Sequence, residues 1–151
     1  KASDDSEKPG RVFDVRLEGE DDEAVPIYDS CDELRRKVNK HLRATGKTNA
    51  AFMREIAQAG WPDGSTKIQS KQLNDFLTKK GATAGAASKV FYATYCYFEK
   101  LRLFEGKPKS AHRKKMEDEW PSGLPREDRR SYWVPNGRSV VQDKFGKVKL
   151  A

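Results

Sequence analysis

Apolar side chains recur along most of the chain at the three-to-four-residue spacing of helices, and capping or breaking residues bound each stretch. From Cys31 onward, Cys31, Leu34, Val38, His41 and Leu42 form one stripe, while Arg35, Arg36, Lys37, Lys40 and Arg43 fill the rest of the wheel. That pattern predicts an amphipathic helix with a basic outer face. Ser30 followed by Glu33 reads as a capping box at its start, and Thr45-Gly46 as its end. A second helix is expected from Thr48 or Asn49 to about Ala59, with Phe52, Met53 and Ile56 inward. Trp61-Pro62-Asp63-Gly64-Ser65 is turn chemistry. A third helix over 70–80 points Leu73, Phe76 and Leu77 one way and Lys71, Asn74, Asp75 and Thr78 the other. The pattern over 86–104 is apolar nearly all round, which marks a central helix with neighbours on several sides. Ser110 caps a fifth, short helix through Glu119, and Trp120-Pro121 breaks it.

The two ends follow different rules. Residues 1–25 mix Ser, Asp, Glu, Gly and Lys around one brief apolar alternation, Val12, Val15 and Leu17, and are expected to be a disordered acidic tail that can be removed with the fold intact. Residues 121–151 hold Tyr132, Trp133, Val134, a Pro135-Asn136-Gly137 turn and Val140-Val141, and are expected to form a short hairpin or an extended strap. The fold class is thus all-α: a compact domain of four to five helices over 26–120, with a helix-turn-helix at its centre.

Composition sharpens this picture. Charged residues make up 35% of the chain and the mean hydropathy is -0.91, so the core must be modest. The net charge of +7 hides an asymmetry: residues 1–29 carry 4 basic and 10 acidic side chains, whereas residues 30–115 carry 19 basic and 7 acidic. A separated basic block is the electrostatic footprint of a polyanion binder, although a solvated lysine-rich surface has the same composition. Cys31 and Cys96 make no paired framework, which points to a reducing compartment, the nucleus or the cytosol. No apolar run approaches the ~18 residues needed to cross a bilayer, so no membrane role is expected.

The second and third helices resemble the helix-turn-helix of phage-repressor-like domains over residues 50–81. In such a motif the first helix braces the second, whose N-terminal side chains reach base edges in the major groove. The resemblance implies Gln69, Ser70, Lys71, Gln72 and Asn74 as base readers. Gln and Asn suit adenine, and Lys suits guanine or phosphate. Arg35, Arg36, Lys40, Arg43, Lys79, Lys107, Lys109, Arg113 and Lys114 are the candidate phosphate contacts. Two departures stand against it: the connection over 60–67 exceeds a tight turn, and Asp75 would repel phosphate. A helical hairpin used for packing or for a protein partner keeps the same pattern.

A wider resemblance runs through Tyr28-Asp29-Ser30-Cys31-Asp32-Glu33-Leu34-Arg35-Arg36-Lys37, then Ile68-Gln69-Ser70-Lys71-Gln72-Leu73-Asn74-Asp75-Phe76-Leu77, then Tyr97-Phe98-Glu99-Lys100-Leu101-Arg102, then Lys107-Pro108-Lys109-Ser110 and His112-Arg113. These segments look like an uncharacterised fungal domain family of unknown function, covering about residues 26–145. The resemblance implies a nuclear setting and supplies no catalytic residues.

Other chemistry finds little support. Cys31, His41, Cys96 and His112 have no zinc-ligand spacing, and phosphate loops, dinucleotide fingerprints and nucleophile elbows are absent from the sequence. His41 is expected at the edge of the core and His112 in solvent. The aromatic run from Phe91 to Phe98 fits core packing better than a stacking platform. The expectation is therefore a nuclear module that binds double-stranded DNA, with no enzymatic activity, cofactor, metal or small-molecule substrate. The alternative is a helical protein-interaction module whose basic face meets an acidic partner.

Overall fold

The computed structural model describes residues 11–127 and 133–150. Among these, five α-helices build the domain: α1 (Cys31–Thr45), α2 (Asn49–Gly60), α3 (Ser70–Thr78), α4 (Lys89–Glu105) and α5 (Ala111–Glu119). Their starts follow the local chemistry. Ser30 Oγ accepts from the Glu33 N–H, Thr48 Oγ1 from Ala51, Ser88 Oγ from Val90 and Ser110 Oγ from Arg113, each satisfying a donor the first helical turn leaves orphaned. Gly46 and Gly106 end α1 and α4 in left-handed geometry.

As its all-round apolarity predicts, α4 is the axis of the fold. Val90 through Tyr97 are all buried, and α1, α2 and α3 each pack on this helix, α2 most extensively. Gly60 makes that α2–α4 packing close, since a Cβ there would lie 3.3 Å from the Ala93 Cα. The core joins Leu34 and Val38 of α1, Phe52 and Ile56 of α2, and Leu73 and Phe76 of α3 to this axis. No helix among the described residues is long and apolar enough to cross a membrane.

The N-terminal segment differs from its expectation. Residues 1–10 lie outside the described residues. Residues 11–25, however, form two 3-10 turns, Val12–Asp14 and Glu20–Asp22, and bury Val15, Leu17 and Val25. Glu20 enters the core with them, its Oε1 3.1 Å from Lys100 Nζ, both side chains 1% exposed. Composition pointed to disorder because it sums charges without their partners. A buried cation on α4 supplies the partner that lets an acidic segment pack.

At the other end, β1 (Val140–Gln142) and β2 (Val148–Leu150) form an antiparallel hairpin with Val140 opposite Leu150. Its turn is not the expected Pro135-Asn136-Gly137 but residues 143–147, where Asp143 Oδ1 accepts from the Phe145 and Lys147 N–H groups. The Pro135 segment closes a separate turn, Arg138 N–H to Pro135 O, and Tyr132 lies outside the described residues. Trp120 Nε1 donates to Phe145 O and Gln142 Nε2 to Thr83 Oγ1, which ties the hairpin to α5 and to the 81–88 loop. His112 is here too, stacked on Phe145 at 5.4 Å and 3.3 Å from Asp29 Oδ1, so it is not the exposed residue its basic neighbours suggest.

Candidate nucleic-acid interface

Helical geometry divides the basic residues of α1. At 100° per residue, Arg36, Lys40 and Arg43 fall within one sector opposite the buried Leu34 and Val38, and all three are exposed. Lys40 and Arg43 have no ion pair or hydrogen bond among the described residues. Arg36 is chelated by Glu33, Nε to Oε1 at 3.1 Å with a second, shorter contact from Nη2. That pairing raises the Arg36 pKa, and it holds the Glu33 carboxyl below its ordinary value against the opposing pull of burial.

Arg35 occupies the flank of the helix and turns inward, 5% exposed. Its guanidinium donates to Phe76 O (3.0 Å), Ala84 O (2.9 Å), Gly81 O (2.7 Å) and Asp32 Oδ1 (3.0 Å), and lies 4.9 Å over the Phe76 ring. It clamps the end of α3 and the following loop to α1, so its assignment as a phosphate contact is corrected: the fork has no free face. Gly85 completes the clamp, because at φ +100 a Cβ would meet Phe76 Cδ1 at 2.8 Å.

The proposed readers share the outer part of α3 unequally. Lys71 and Asn74 are exposed, and Asn74 makes no hydrogen bond among the described residues. Lys71 Nζ lies 3.2 Å from Asp75 Oδ2 one turn on, which partly neutralises this face. Ser70 is exposed as the first residue of the helix. Gln69 and Gln72 are engaged in the cap, the Gln69 N–H donating to Gln72 Oε1 at 2.8 Å. Residues 61–69 separate α2 from α3, so the connection is longer than in a tight helix-turn-helix. Lys79 caps the C-terminus of α3 and is half-exposed.

The remaining candidates lie around α5. Arg36, Lys107 and Arg113 come together about a cleft of about 290 Å³ between α1, α4 and the start of α5, which Lys37 and Arg102 also line. Glu33, Glu99 and Glu105 line the same cleft, and most of its charge is matched internally. Arg113 bridges Glu99 (2.8 Å) and Glu117 (2.9 Å) and stacks over Tyr28 at 5.0 Å. Lys107 pairs with Glu105 and Lys109 with Glu117, while exposed Lys114 has no partner among the described residues. The unpaired exposed cations assigned from sequence are therefore Lys40, Arg43 and Lys114.

His41 and the two cysteines pack within the helices. His41 packs edge-on to Tyr97 and Phe98, and burial with nearby Lys47 lowers its pKa. Cys31 and Cys96 are buried, and burial pushes the Cys96 thiol up to about 12, which makes it a poor nucleophile. No group of three metal-binding side chains occurs among the described residues.

Residues 25–108, which span α1 to α4 and the clamp between them, match the family described as Domain of unknown function (DUF7726). The chain belongs to that family. No curated protein and no solved structure matches it. The DUF7726 match takes in the Arg36–Lys40–Arg43 stripe, the outer face of α3 and Lys107, and ends before α5, so Arg113 and Lys114 lie outside the matched span.

Two cations that sequence reasoning passed over also stand out. Arg54 and Lys67 are exposed and without a partner among the described residues, and they line one groove between α2 and the loop after it. Nothing in their spacing announces this, because the loop that brings them together is set by Trp61 packing on α4.

Proposed function

We propose that this DUF7726 domain binds double-stranded DNA in the nucleus as part of a transcription or chromatin factor. The observation that carries the reading is the exposed stripe of Arg36, Lys40 and Arg43 on α1, in a segment where basic side chains outnumber acidic ones 19 to 7. Cations about one helical turn apart follow a phosphate backbone, and two of these three have no internal partner to give up. Lys114 adds a further point of contact, and on α3 the exposed Asn74, together with Lys71 once it leaves Asp75, is placed to meet base edges. The reading rests on charge first, because phosphate contacts supply most of the affinity of such domains and base contacts refine it.

Titration of a random-sequence duplex against salt tests it. Releasing counterions from Z phosphates makes log K fall with log salt at a slope of roughly -0.9Z, so Lys40→Ala and Arg43→Ala should each flatten the slope by about one unit. A parent protein whose binding ignores salt, or binds no duplex at all, would sink the proposal and favour an acidic protein partner for the same stripe.

A further inference from the structure

One face of α2 is only partly covered inside the domain. Its Phe52–Ile56–Ala59–Gly60 side packs inward, whereas Met53 and Ala57 open onto a groove of about 530 Å³ closed on its far side by the 61–68 loop. Trp61 and Ile68 complete an apolar floor. The charged residues lining it are Arg54 and Lys67, and no carboxylate joins them. The volume lies within the roughly 300–1,000 Å³ typical of ligand clefts.

The groove is fixed before anything binds. Trp61 Nε1 donates to Glu23 Oε1 at 2.8 Å, its ring packs 5.7 Å from Tyr92, and its backbone N–H continues the α2 ladder to Ala57 O. The loop wall is pinned by Gly64 N–H to Trp61 O (2.9 Å) and Ser65 N–H to Asp63 Oδ1 (2.9 Å). A preformed wall spares a ligand the entropy of ordering it.

We propose that this groove docks an acidic amphipathic helix of a partner protein, with apolar anchors on the Met53–Ala57–Trp61–Ile68 floor and flanking carboxylates on Arg54 and Lys67. Two unpaired cations beside an apolar floor match both halves of such a helix. A phosphate backbone would meet the cations but leave the floor covered by hydrated charge, which forfeits the apolar contact. The chain's own acidic residues 1–10 cannot serve, since they contain no Leu, Ile, Val, Met or aromatic anchor. The inference is independent of the DNA reading, which uses the outer faces of α1 and α3.

The test uses the full chain and a fluorescein-labelled 16-residue helical peptide with Leu at i, i+4 and i+7 and Glu on the flanks, followed by fluorescence anisotropy. Saturable binding is expected. The double variant Arg54→Glu/Lys67→Glu should weaken it at least about tenfold, as reversal of two rim charges does, with thermal melting unchanged because both side chains are exposed. Replacing Leu by Ser in the peptide should weaken binding to a similar degree, about tenfold or more, if the floor contributes. The proposal is overturned by absence of saturable binding, by equal affinity for the Ser peptide, by indifference to the double variant, or by displacement with a 20-base-pair duplex. Self-association of the parent that the double variant abolishes would seat a second copy in the groove and equally overturn the partner. Duplex binding by Arg54→Glu/Lys67→Glu, measured alongside, separates failure here from failure of the DNA reading.

Discussion

Charges on the inside of this domain and charges on its outside are the same residue types with opposite work. Arg35 and Arg36 are neighbours on α1, yet 100° of helix rotation sends one guanidinium into three backbone carbonyls and leaves the other in solvent with Glu33. Lys100 and Lys40 differ in the same way: Lys100 is fully buried against Glu20, and Lys40 stands alone in water. A buried cation has exchanged hydration for a fixed set of partners and is tied to one conformation. An exposed cation keeps its hydration and can exchange it for a ligand. Net charge counts both kinds alike, which is why the surplus over 30–115 overstates what is available for binding.

The largest effect that could break this comparison is at Lys100. Lys100→Met should destabilise by up to about 3–5 kcal/mol, because Glu20 Oε1 loses its buried cation and the carboxylate keeps only the exposed Arg16 on Oε2 at 3.1 Å and the Leu17 N–H at 2.9 Å. Lys100→Met/Glu20→Leu should recover most of that loss, since a well-packed apolar pair can match a buried ion pair. Urea unfolding of parent, single and double variants measures both. A single variant as stable as the parent would mean that residues 11–25 are not held by this pair. The same contact argues against the expectation that the N-terminal segment is dispensable: deletion of residues 1–25 removes Val15, Leu17 and Glu20 from the core and should destabilise the domain.

Next in size is the Arg35 clamp. Arg35→Ala should cost about 2–4 kcal/mol, since it removes the guanidinium from Phe76, Gly81 and Ala84 O, of which the first two keep a backbone donor (Lys79 and Ala84 N–H) and the third has none among the described residues, and empties the space the side chain had filled. Arg36→Ala should change stability by no more than about 0.5 kcal/mol, as exposed pairs do. Equal losses at the two positions, in the same unfolding series, would erase the distinction between the faces.

How far the sequence revealed this depends on the range of the interaction. Caps at Ser30, Thr48 and Ser110, the stop at Gly46 and the central place of α4 were legible, because each depends on residues within one or two turns. The inward turn of Arg35 was not. Its carbonyl partners lie more than forty residues on, and on the wheel it sits at the flank, where an arginine with a long stem can go either way. Glu20 falls in a run whose composition predicts disorder, because Lys100, eighty residues later, is invisible to local composition. Lys71 and Asn74 were correctly placed on the outer side of α3 by periodicity alone. Engagement of Gln69 and Gln72 in the α3 cap was missed, although the spacing from Gln69 to Gln72 is that of a capping box.

Acid should reveal the intermediate class, charges half inside. Burial pulls the Glu99 pKa up, but hydrogen bonds from Arg102 and Arg113 outweigh it and hold the group below its ordinary 4.5. A depressed carboxylate contributes stability that is fully present above its unfolded pKa and is lost as pH falls through the folded value. Glu33 has the same sign through Arg36, whereas Asp29, raised by burial, has the opposite one. Glu99→Gln should therefore lower stability at neutral pH and flatten its decline from about pH 5 to about pH 3. Parallel pH profiles for parent and variant would show that Glu99 carries no net linkage.

The smallest expected stability effects are on the outermost charges, where the functional effect should be clearest. Lys40→Ala, Arg43→Ala, Lys71→Ala and Asn74→Ala should each leave unfolding within about 0.5 kcal/mol of the parent, because none of these side chains is buried. On DNA they should part company. In the proposed reading Lys40 and Arg43 meet phosphates, so their loss should weaken every duplex alike and reduce the salt slope. Asn74 has a donor and an acceptor in one plane and no internal partner, so losing it should cost about 1–3 kcal/mol on a preferred site selected from a random pool and far less on random duplex. Lys71 should show a smaller preference effect, because Asp75 already holds its ammonium at 3.2 Å and must be displaced by any base edge. If Asn74→Ala and Lys71→Ala bind all duplexes as the parent does while the α1 variants do not, α3 is not a reader. The outer face of α1 would then act as a charge stripe alone, and specificity would have to come from somewhere other than the helix that most resembles a recognition helix.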